Sequence, residues 1–431
     1  MDWKIRKASS GLKGELALPP DKSISHRSVM FASISGGRCC IRNFLLGEDC
    51  MRTLEAFRAM GVEISVKDNM VTVHGRGLKG LKEPQGELYL GNSGTTMRII
   101  SGILAGQDFT SVLTGDESLS RRPMRRIIEP LSLMGARIES AEGTSCAPLR
   151  IKGKTPLNPI DYSMPIASAQ VKSCVLAAGL YANGKTSVSE PFQSRDHTER
   201  MLEYFSADIK REGLTTEITG LEELAPKDLE IPADISSAAF FIVAALLVKG
   251  SRLIMRGVGL NPTRIGIINV LKRMGASIQI LDCRESLEPA GDIEVRHSDL
   301  KGTVVEEEEI PLLIDEIPVL TVAAAMAEGT TVIKGIKELK VKETDRAKSV
   351  IENLSRMGIR LEEEEDTLII PGKSVRLNAA ELDSFGDHRT AMSMAVAGLV
   401  SEGTCLIRDT ACVDTSYPGF FADLEKLVRH V

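Results

Sequence analysis

The sequence predicts an α/β protein of two similar domains, each built from three βαβαββ units, so that one structural unit recurs six times along 431 residues. Three observations predict it. A short apolar, small-residue segment followed by a Gly-centred turn recurs at Gly37, Gly106, Gly184, Gly250, Gly329 and Gly403, with separations of 69, 78, 66, 79 and 74 residues. A second pattern, of the type Met-Gly-Ala-x-Ile, falls between these as Met60-Gly61-Val62, Met134-Gly135-Ala136, Phe205-Ser206-Ala207, Met274-Gly275-Ala276 and Met357-Gly358-Ile359, and a sixth copy, Phe420 to Val431, is cut short by the terminus. Alternating segments then flank tight turns, as Val62 to Val66 and Met70 to His74 do around Asp68-Asn69, which is the pattern of strand, turn and strand.

A glycine after a helical pattern suits the left-handed residue that closes a helix, because it lacks the Cβ that makes this conformation costly. The unit therefore reads helix, strand, helix, strand, strand, with one further strand leading in. Six units of about 72 residues exceed the roughly 20 to 50 residues of common solenoid repeats, so two globular domains of three units fit better. Ala225 to Asp228 with Pro232 lies near the midpoint, and Pro19-Pro20 near the start. Crossing points placed there give one domain of residues 21–228 and another of residues 1–20 plus 229–431, joined by a two-crossing hinge.

With 43% hydrophobic and 26% charged residues, the chain can bury a large core. No apolar run approaches the roughly 20 residues of a membrane span, and the first residues show neither a signal-peptide core nor a transit segment. The expected compartment is the cytoplasm, with no membrane partner. A net charge of -6 counts against nucleic acid, whose backbone demands a basic face. The eight cysteines form no CxxC pairs and no finger-like offsets with histidine, so neither a disulfide framework nor a metal site is expected. The acidic runs Glu306 to Glu309 and Glu362 to Asp366 read as solvated surface.

Residues with chemistry gather at helix starts. The first helices of the units open with DKSISHR (21–27), GNSGTTMR (91–98), ASAQVKS (167–173), ADISSAAF (233–240), DEIP (315–318) and GDHRTAM (386–392), and the second helices with RRPMRR, SRDHTER, NPTR and KETDR. Helix N-termini carry unsatisfied N–H groups and a positive dipole end, which suits anions. Ser, Thr, Asp and Asn in such places are ordinary caps, and Ser236, Ser237 and Thr263 read that way. Capping does not explain Lys22, Arg27, Arg98, Arg122, Lys172, Arg195, Lys342, Arg346 and Arg389, cations set where the dipole opposes them. They call for anionic partners.

In order along the chain, DKSISHR, GNSGTTMR, RRPM, SAQVKS, RDHTE, NPTR, KVKETDR and FGDHR resemble the motifs of the 5-enolpyruvylshikimate-3-phosphate synthases. Ser168-Ala169-Gln170 and Arg195 to Thr198 resemble the variant found in many bacteria. The strings run from residue 21 to 389, and eight in order are far more specific than any one. The resemblance implies the enolpyruvyl transferase-like fold, an inside-out α/β barrel in each domain, with the domains closing over the substrates. It also implies transfer of the enolpyruvyl group of phosphoenolpyruvate to the 5-hydroxyl of shikimate 3-phosphate through a tetrahedral intermediate, by a monomer with no cofactor.

Residue by residue, Lys22, Ser23, Arg27, Ser168, Ala169, Gln170, Arg195, Asp315 and Lys342 match the positions that hold shikimate 3-phosphate. Lys22, Gly94, Arg122, Gln170, Arg346 and Arg389 match those around phosphoenolpyruvate. Asp315, Glu343 and Lys22 are the catalytic candidates: Asp315 and Glu343 are the carboxylates nearest Lys342 and Lys22 in the matched motifs and form the acid/base pair, Asp315 being the candidate to accept the hydroxyl proton and Glu343 the candidate to protonate carbon, with the division of labour at each step left open by the sequence. The residue types suit the chemistry: both substrates carry a carboxylate and a phosphate, and the arginine fork grips such groups with paired hydrogen bonds. In the family glyphosate competes with phosphoenolpyruvate and is slightly longer, so the missing Cβ of Gly94 leaves it room, although Ile99 departs from a proline of some sensitive relatives. A second departure is the stretch Val413 to Pro418, which lacks the lysine that many relatives place there; Lys334 and Lys340 are the nearby substitutes. Two other readings are a nucleotide-sugar enolpyruvyl transferase, which relies on a loop cysteine where residues 121–126 here have none, and a non-catalytic anion-binding protein, which needs no acid/base pair.

Overall fold

A helix that is apolar on every side has to be buried on every side, as α8 (Ile235–Leu247) and α11 (Ile317–Ala325) are, and the first helices of the other repeats are buried over most of their length behind a polar first turn. The computed structural model describes residues 1–141, 143–373 and 376–429. After β1 (Trp3–Arg6) and β2 (Lys13–Leu16), repeat one holds α1 (Lys22–Ser33), β3 (Arg38–Arg42), α2 (Glu48–Ala59), β4 (Glu63–Lys67) and β5 (Met70–His74). Repeat two holds β6 (Leu88–Tyr89), α3 (Gly94–Ala105), β7 (Thr110–Thr114), the single turn α4 (Glu117–Ser120), α5 (Arg125–Leu133), β8 (Arg137–Glu139) and β9 (Leu149–Lys152). Repeat three holds β10 (Asp161–Ser163), α6 (Ala169–Gly179), β11 (Lys185–Ser189), α7 (His197–Tyr204), β12 (Ile209–Glu212) and β13 (Thr215–Thr219), and β14 (Leu229–Glu230) follows.

Repeat four runs α8 (Ile235–Leu247), β15 (Arg252–Gly259), α9 (Gly266–Arg273), β16 (Ser277–Arg284) and β17 (Ala290–Arg296). Repeat five runs β18 (Val304–Val305), α10 (Ile310–Leu313), α11 (Ile317–Ala325), β19 (Thr331–Lys334), α12 (Arg346–Arg356), β20 (Glu362–Glu364) and β21 (Thr367–Ile370). Repeat six runs β22 (Glu381–Asp383), α13 (His388–Leu399), β23 (Thr404–Arg408) and α14 (Phe420–Arg429). His430 and Val431, the last residues of the sixth helical copy, lie outside the described residues.

Each repeat makes its own sheet. In repeat two the order is β6-β7-β9-β8, with β6 parallel to β7 across the α3 crossover and the rest antiparallel, and repeats three and five copy it. Parallel neighbours need such a crossover. Repeats one and four have no leading strand directly before their first helix that pairs in place; β14 lies parallel to β3, and β2 lies parallel to β15. Repeat six ends before its hairpin, and β1 takes the vacant edge, antiparallel to β23. By their internal contacts the residues divide into two units, 1–19 with 232–431, and 20–231. The chain passes from one to the other directly after the segments that carry β2 and β14.

Within the unit of residues 1–19 and 232–431, α8, α11 and α13 pack on one another, and α8 and α13 lie on the sheets of their own repeats. All twelve residues of α13 and all nine of α11 are buried. Within residues 20–231, α1 and α6 each pack on α3. Helices inside and sheets outside account for the inside-out description; among the described residues no sheet closes on itself, because each repeat's ladder ends at its own edge strands. The second helices are amphipathic, as in α12, whose Val350 and Leu354 are buried while Lys348 is exposed.

The Met-Gly-Ala pattern is a helix stop with a specific geometry. In α2, the Gly61 N–H bonds to the Arg58 carbonyl and the Val62 N–H to the Phe57 carbonyl, the paired arrangement of a Schellman motif. The same two bonds recur at Gly135, Ser206, Gly275 and Gly358. Ser206 pays the strain of φ 70° that the glycines avoid. The other glycine series needs correction. Gly106 caps α3 with φ -89° and is not left-handed; a Cβ there would meet the Tyr181 ring at 2.1 Å, so contact rather than backbone conformation requires glycine. Gly37, Gly184 and Gly403 stand directly before β3, β11 and β23 and open strands instead of ending helices.

Gly102 lets α3 and α6 approach closely, since a Cβ on it would lie 2.1 Å from the carbonyl oxygen of Cys174. Alanine gains about 1 kcal/mol of helix propensity over glycine, but a backbone carbonyl inside a close-packed pair cannot move aside. Gly102→Ala is expected to lower stability by about 1 to 3 kcal/mol net of that gain, measured by urea denaturation. Gly86→Ala, where a Cβ meets nothing within 4 Å, serves as the control and should leave the midpoint unchanged.

Candidate active site

In residues 20–231 the starts of α1, α3, α6 and α7 are joined by direct contacts. Asp21 caps α1 by accepting from the Ile24 N–H at 2.9 Å, and Lys22, the first residue of the helix, forms an ion pair with Asp49 of α2. Ser23 follows it, and its carbonyl accepts from Arg27 Nη1 at 3.0 Å. Arg27 is buried, with Nε donating to Thr198 at 2.7 Å and Nη2 to Ser173 at 3.0 Å, which ties α1 to α7 and α6. Ser168 caps α6, and Ala169 and Gln170 are its first residues. Gln170 meets α3: Arg98 Nη1 donates to its Oε1 at 2.6 Å, and its Nε2 donates to Thr95 at 3.0 Å.

Ser93 caps α3, and Gly94 opens it. A Cβ on Gly94 would stand 2.9 Å from Arg98 Nη1 and 3.1 Å from Arg122 Nη1, so the two guanidinium heads flank this glycine. Arg122 is buried and held by Asn92, through both its carbonyl (3.2 Å) and its side chain, and by Ser118 at 3.2 Å. Arg195 is half-buried one residue before Asp196, the N-cap of α7. Ile99 is buried and α3 continues through it without a break.

Lys172 departs from the expectation. It is buried and pairs with Glu190 and Glu199, each at 2.7 Å. Burial acts to lower its pKa, but the pull of Glu199 and Glu190 outweighs this and holds it above the ordinary lysine range. Its anionic partners are the chain's own carboxylates, and its work is to join α6 to α7 through Glu199 and to the segment before α7 through Glu190.

In residues 1–19 and 232–431 the second group centres on Arg346, the first residue of α12. Its Nε donates to Asp387 at 2.8 Å, Nη1 to Asp315 at 2.9 Å and Nη2 to Glu343 at 2.5 Å. Burial disfavours the charge, and Asp387, Glu343 and Asp315 together overcome it, raising the pKa above the usual arginine value. Asp387 does two jobs, since its other oxygen caps α13 by accepting from the Arg389 N–H at 2.7 Å. Arg389 lies 3.6 Å from the Asp315 carboxylate and donates to the Asp315 carbonyl at 3.2 Å. Lys342 is half-buried beside Glu343 in the sequence. Glu316, fully buried, accepts from Ser236 and lies 3.8 Å from Arg264 and 3.9 Å from Arg389. Ser236 is therefore not the cap the sequence suggested: Asp234 caps α8 by accepting from the Ser236 N–H, and the Ser236 hydroxyl donates to Glu316.

The turn Thr410–Thr415 carries the exposed Asp414. Lys334 and Lys340 pair with Glu306 at 2.8 Å and Glu363 at 2.5 Å on the acidic runs. Cys146 comes within 3.5 Å of the Arg121 carbonyl, so a cysteine neighbours the 121–126 segment in space although none lies within it. Among the described residues no cluster of three His, Cys, Asp or Glu side chains could hold a metal ion, and no helix is long and apolar enough to cross a membrane.

The family model for EPSP synthase (3-phosphoshikimate 1-carboxyvinyltransferase) matches residues 6–424. The chain belongs to the EPSP synthase family. It is 52% identical over 418 residues to the 3-phosphoshikimate 1-carboxyvinyltransferase of Pelobacter propionicus, covering 97% of this chain and 96% of that one. Among solved structures, EPSP synthase from Acinetobacter baumannii aligns with a TM-score of 0.88 at 46% identity, covering 99% of this chain and 98% of the other. The enolpyruvyl transferase NikO from Streptomyces tendae aligns with a TM-score of 0.79 at 18% identity over 98% and 96% of the two chains, a likeness of fold.

Sequence reasoning missed several members of these groups in this EPSP synthase family chain. Asp49 was hidden because an acidic first turn is normal in any helix, and Asn92 because it reads as turn chemistry. Glu316 follows Asp315 directly, and nothing in the sequence separates a buried carboxylate from an exposed one at that position.

His26 adds a pH dependence. It is buried, with Nδ1 2.7 Å from Thr53, which in turn meets Thr96 at 2.8 Å. Burial chiefly, with Lys22 and Arg27 adding to it against the opposing pull of Asp49, lowers its pKa from 6.5 to about 3. The unfolded chain protonates this histidine below pH 6.5 while the folded chain does not until about pH 3. The unfolded state thus holds more protons in that window, and stability falls as pH drops through it, by about 1.4 kcal/mol per pH unit. His26→Gln should flatten the acid limb of a pH–stability curve measured by urea denaturation between pH 6.5 and 4; parallel limbs for both proteins would remove His26 as the cause.

Proposed function

We propose that this chain transfers the enolpyruvyl group of phosphoenolpyruvate to the 5-hydroxyl of shikimate 3-phosphate, releasing phosphate. The observation that carries the reading is 52% identity over nearly the whole length to a 3-phosphoshikimate 1-carboxyvinyltransferase, in a chain whose cations gather at helix starts. The substrates are small molecules, and the roles below are assigned to residues of both units.

The hydroxyl oxygen attacks C2 of phosphoenolpyruvate while C3 gains a proton, turning methylene into methyl and leaving a tetrahedral adduct that still holds the phosphate. The methyl then gives up a proton, the C2–O bond to phosphate breaks, and the C2=C3 double bond is restored, now as the enol ether of the acceptor. Asp315 takes the hydroxyl proton, and Glu343 supplies and recovers the proton at C3, as general base and acid. Arg346, in contact with both carboxylates, orients the pair. Arg346 and Arg389 serve the phosphoenolpyruvate carboxylate; Lys22, Arg122, Gly94 and Gln170 serve its phosphate side. Ser23, Arg27, Ser168, Ala169, Gln170, Arg195 and Lys342 hold shikimate 3-phosphate. A setting of fixed cations and amides favours the crowded anions without reorganising at the moment of reaction.

Turnover with phosphoenolpyruvate and shikimate 3-phosphate, with a nucleotide sugar as the alternative acceptor, tests the assignment; activity on the nucleotide sugar alone would overturn it. Asp315→Ala is expected to reduce kcat by about a hundredfold or more while the thermal midpoint shows a folded protein, and a near-normal rate would remove Asp315 from the mechanism.

Gly94→Ala tests the neighbouring steric reading. The position has ordinary φ and the contacts of a new methyl are the far ends of the Arg98 and Arg122 side chains and no backbone atom, so the protein should fold. Glyphosate inhibition is expected to weaken about tenfold or more relative to the change in KM for phosphoenolpyruvate, the cost of one methyl in a filled site. Equal loss for both would sink the argument.

A further inference from the structure

We propose that Arg98 is a positioning residue of this site, fixing the amide of Gln170 so that Gln170 meets its ligand only as a hydrogen-bond donor. The proposal rests on the assignment of Gln170 as a substrate contact. An arginine head carries donors and no acceptor, so the Gln170 atom 2.6 Å from Arg98 Nη1 has to be the amide oxygen. The nitrogen is then on the side of Thr95, 3.0 Å away. One amide N–H goes to Thr95, and the second is left to donate elsewhere. Arg98 is itself placed by the Pro123 carbonyl, 3.4 Å from Nη2, and by the bare α-carbon of Gly94, which both it and Arg122 approach. Three separate segments of residues 20–231 thus converge to set one amide.

The consequence is chemical selectivity. A free glutamine amide presents oxygen or nitrogen according to its partner, and its oxygen would repel a carboxylate or phosphate. With the oxygen occupied by a cation, Gln170 offers N–H to an anionic oxygen and nothing to a hydroxyl donor, and this orientation is set before the ligand arrives.

The test compares the whole chain with Arg98→Met, Arg98→Lys, Gln170→Met and the double variant Arg98→Met/Gln170→Met in turnover of the two substrates. Arg98→Met is expected to lower kcat/KM about thirtyfold, mostly through KM, with little change in thermal midpoint; in the Gln170→Met background the same change should cost less than about threefold. Arg98→Lys, which keeps the charge but not the fork, should resemble Arg98→Met and stands in for it if that variant does not fold. Losses that multiply in the double variant, or wild-type behaviour of Arg98→Lys, overturn the proposal. A parent chain without turnover overturns the proposed function instead. The Gln170 side-chain amide signal in 15N-labelled protein, assigned by its loss in Gln170→Met, then decides for Arg98: a shift in Arg98→Lys supports the proposal and an unmoved signal overturns it.

Discussion

Burying one helix of each repeat along its whole length is the constraint on which the other features depend. α8, α11 and α13 can hide every side only by packing on each other and on the sheets of their repeats. That demands small residues where backbones meet, which is why Gly102 faces a carbonyl and Gly398 faces Ile5. It also gives each helix a polar start, because the first N–H groups have no partner within the helix. Asp21, Ser93, Ser168, Asp234 and Asp387 meet that need by capping, and the charged side chains are added around those caps. Stability and chemistry therefore come from opposite properties of the same helices.

The two groups of charges are built differently. Around Arg346, the residues Arg264, Arg346 and Arg389 contact Asp234, Asp315, Glu316, Glu343 and Asp387, so carboxylates outnumber arginines five to three. An anion that binds an arginine there has to compete with a carboxylate already in place, which couples recognition to the state of Asp315 and Glu343. Around Gly94 the partners of Arg98 and Arg122 include neutral amides, carbonyls and a hydroxyl. Neutral acceptors fix the direction of an arginine head without adding a competing charge of their own.

The α/β class and the sixfold repetition were legible in the sequence because both rest on local signals: helix stops, hairpin alternation and caps. The Schellman stops are the clearest case, since the motif needs one residue with positive φ at a fixed place, and only Ser206 departs from glycine. Signals that depend on distant residues were not legible. Gly106 looked like a helix stop and answers to Tyr181, and Lys172 looked like an anion receptor and answers to Glu190 and Glu199. The candidate site residues stood out by type and spacing, but Asp49 beside Lys22 and Glu316 beside Ser236 depend on tertiary contacts. The source of the leading strands was hidden for the same reason, since β14 and β2 are two and four residues long and pair far away in sequence.

That strand exchange gives the units unequal histories during synthesis. Residues 20–231 are contiguous, and their last strand, β14, appears as the unit is completed. The other unit begins with β1 and β2 and cannot use them until α8 and β15, and finally β23, have been made. At about 5 to 20 residues per second, β1 waits roughly 20 to 80 s for its partner. For that interval the nascent chain carries β1, Trp3 included, without its partner, whereas the strands of the contiguous unit have all their partners once β14 is made. The later unit then assembles around two strands made long before the partners they pair with.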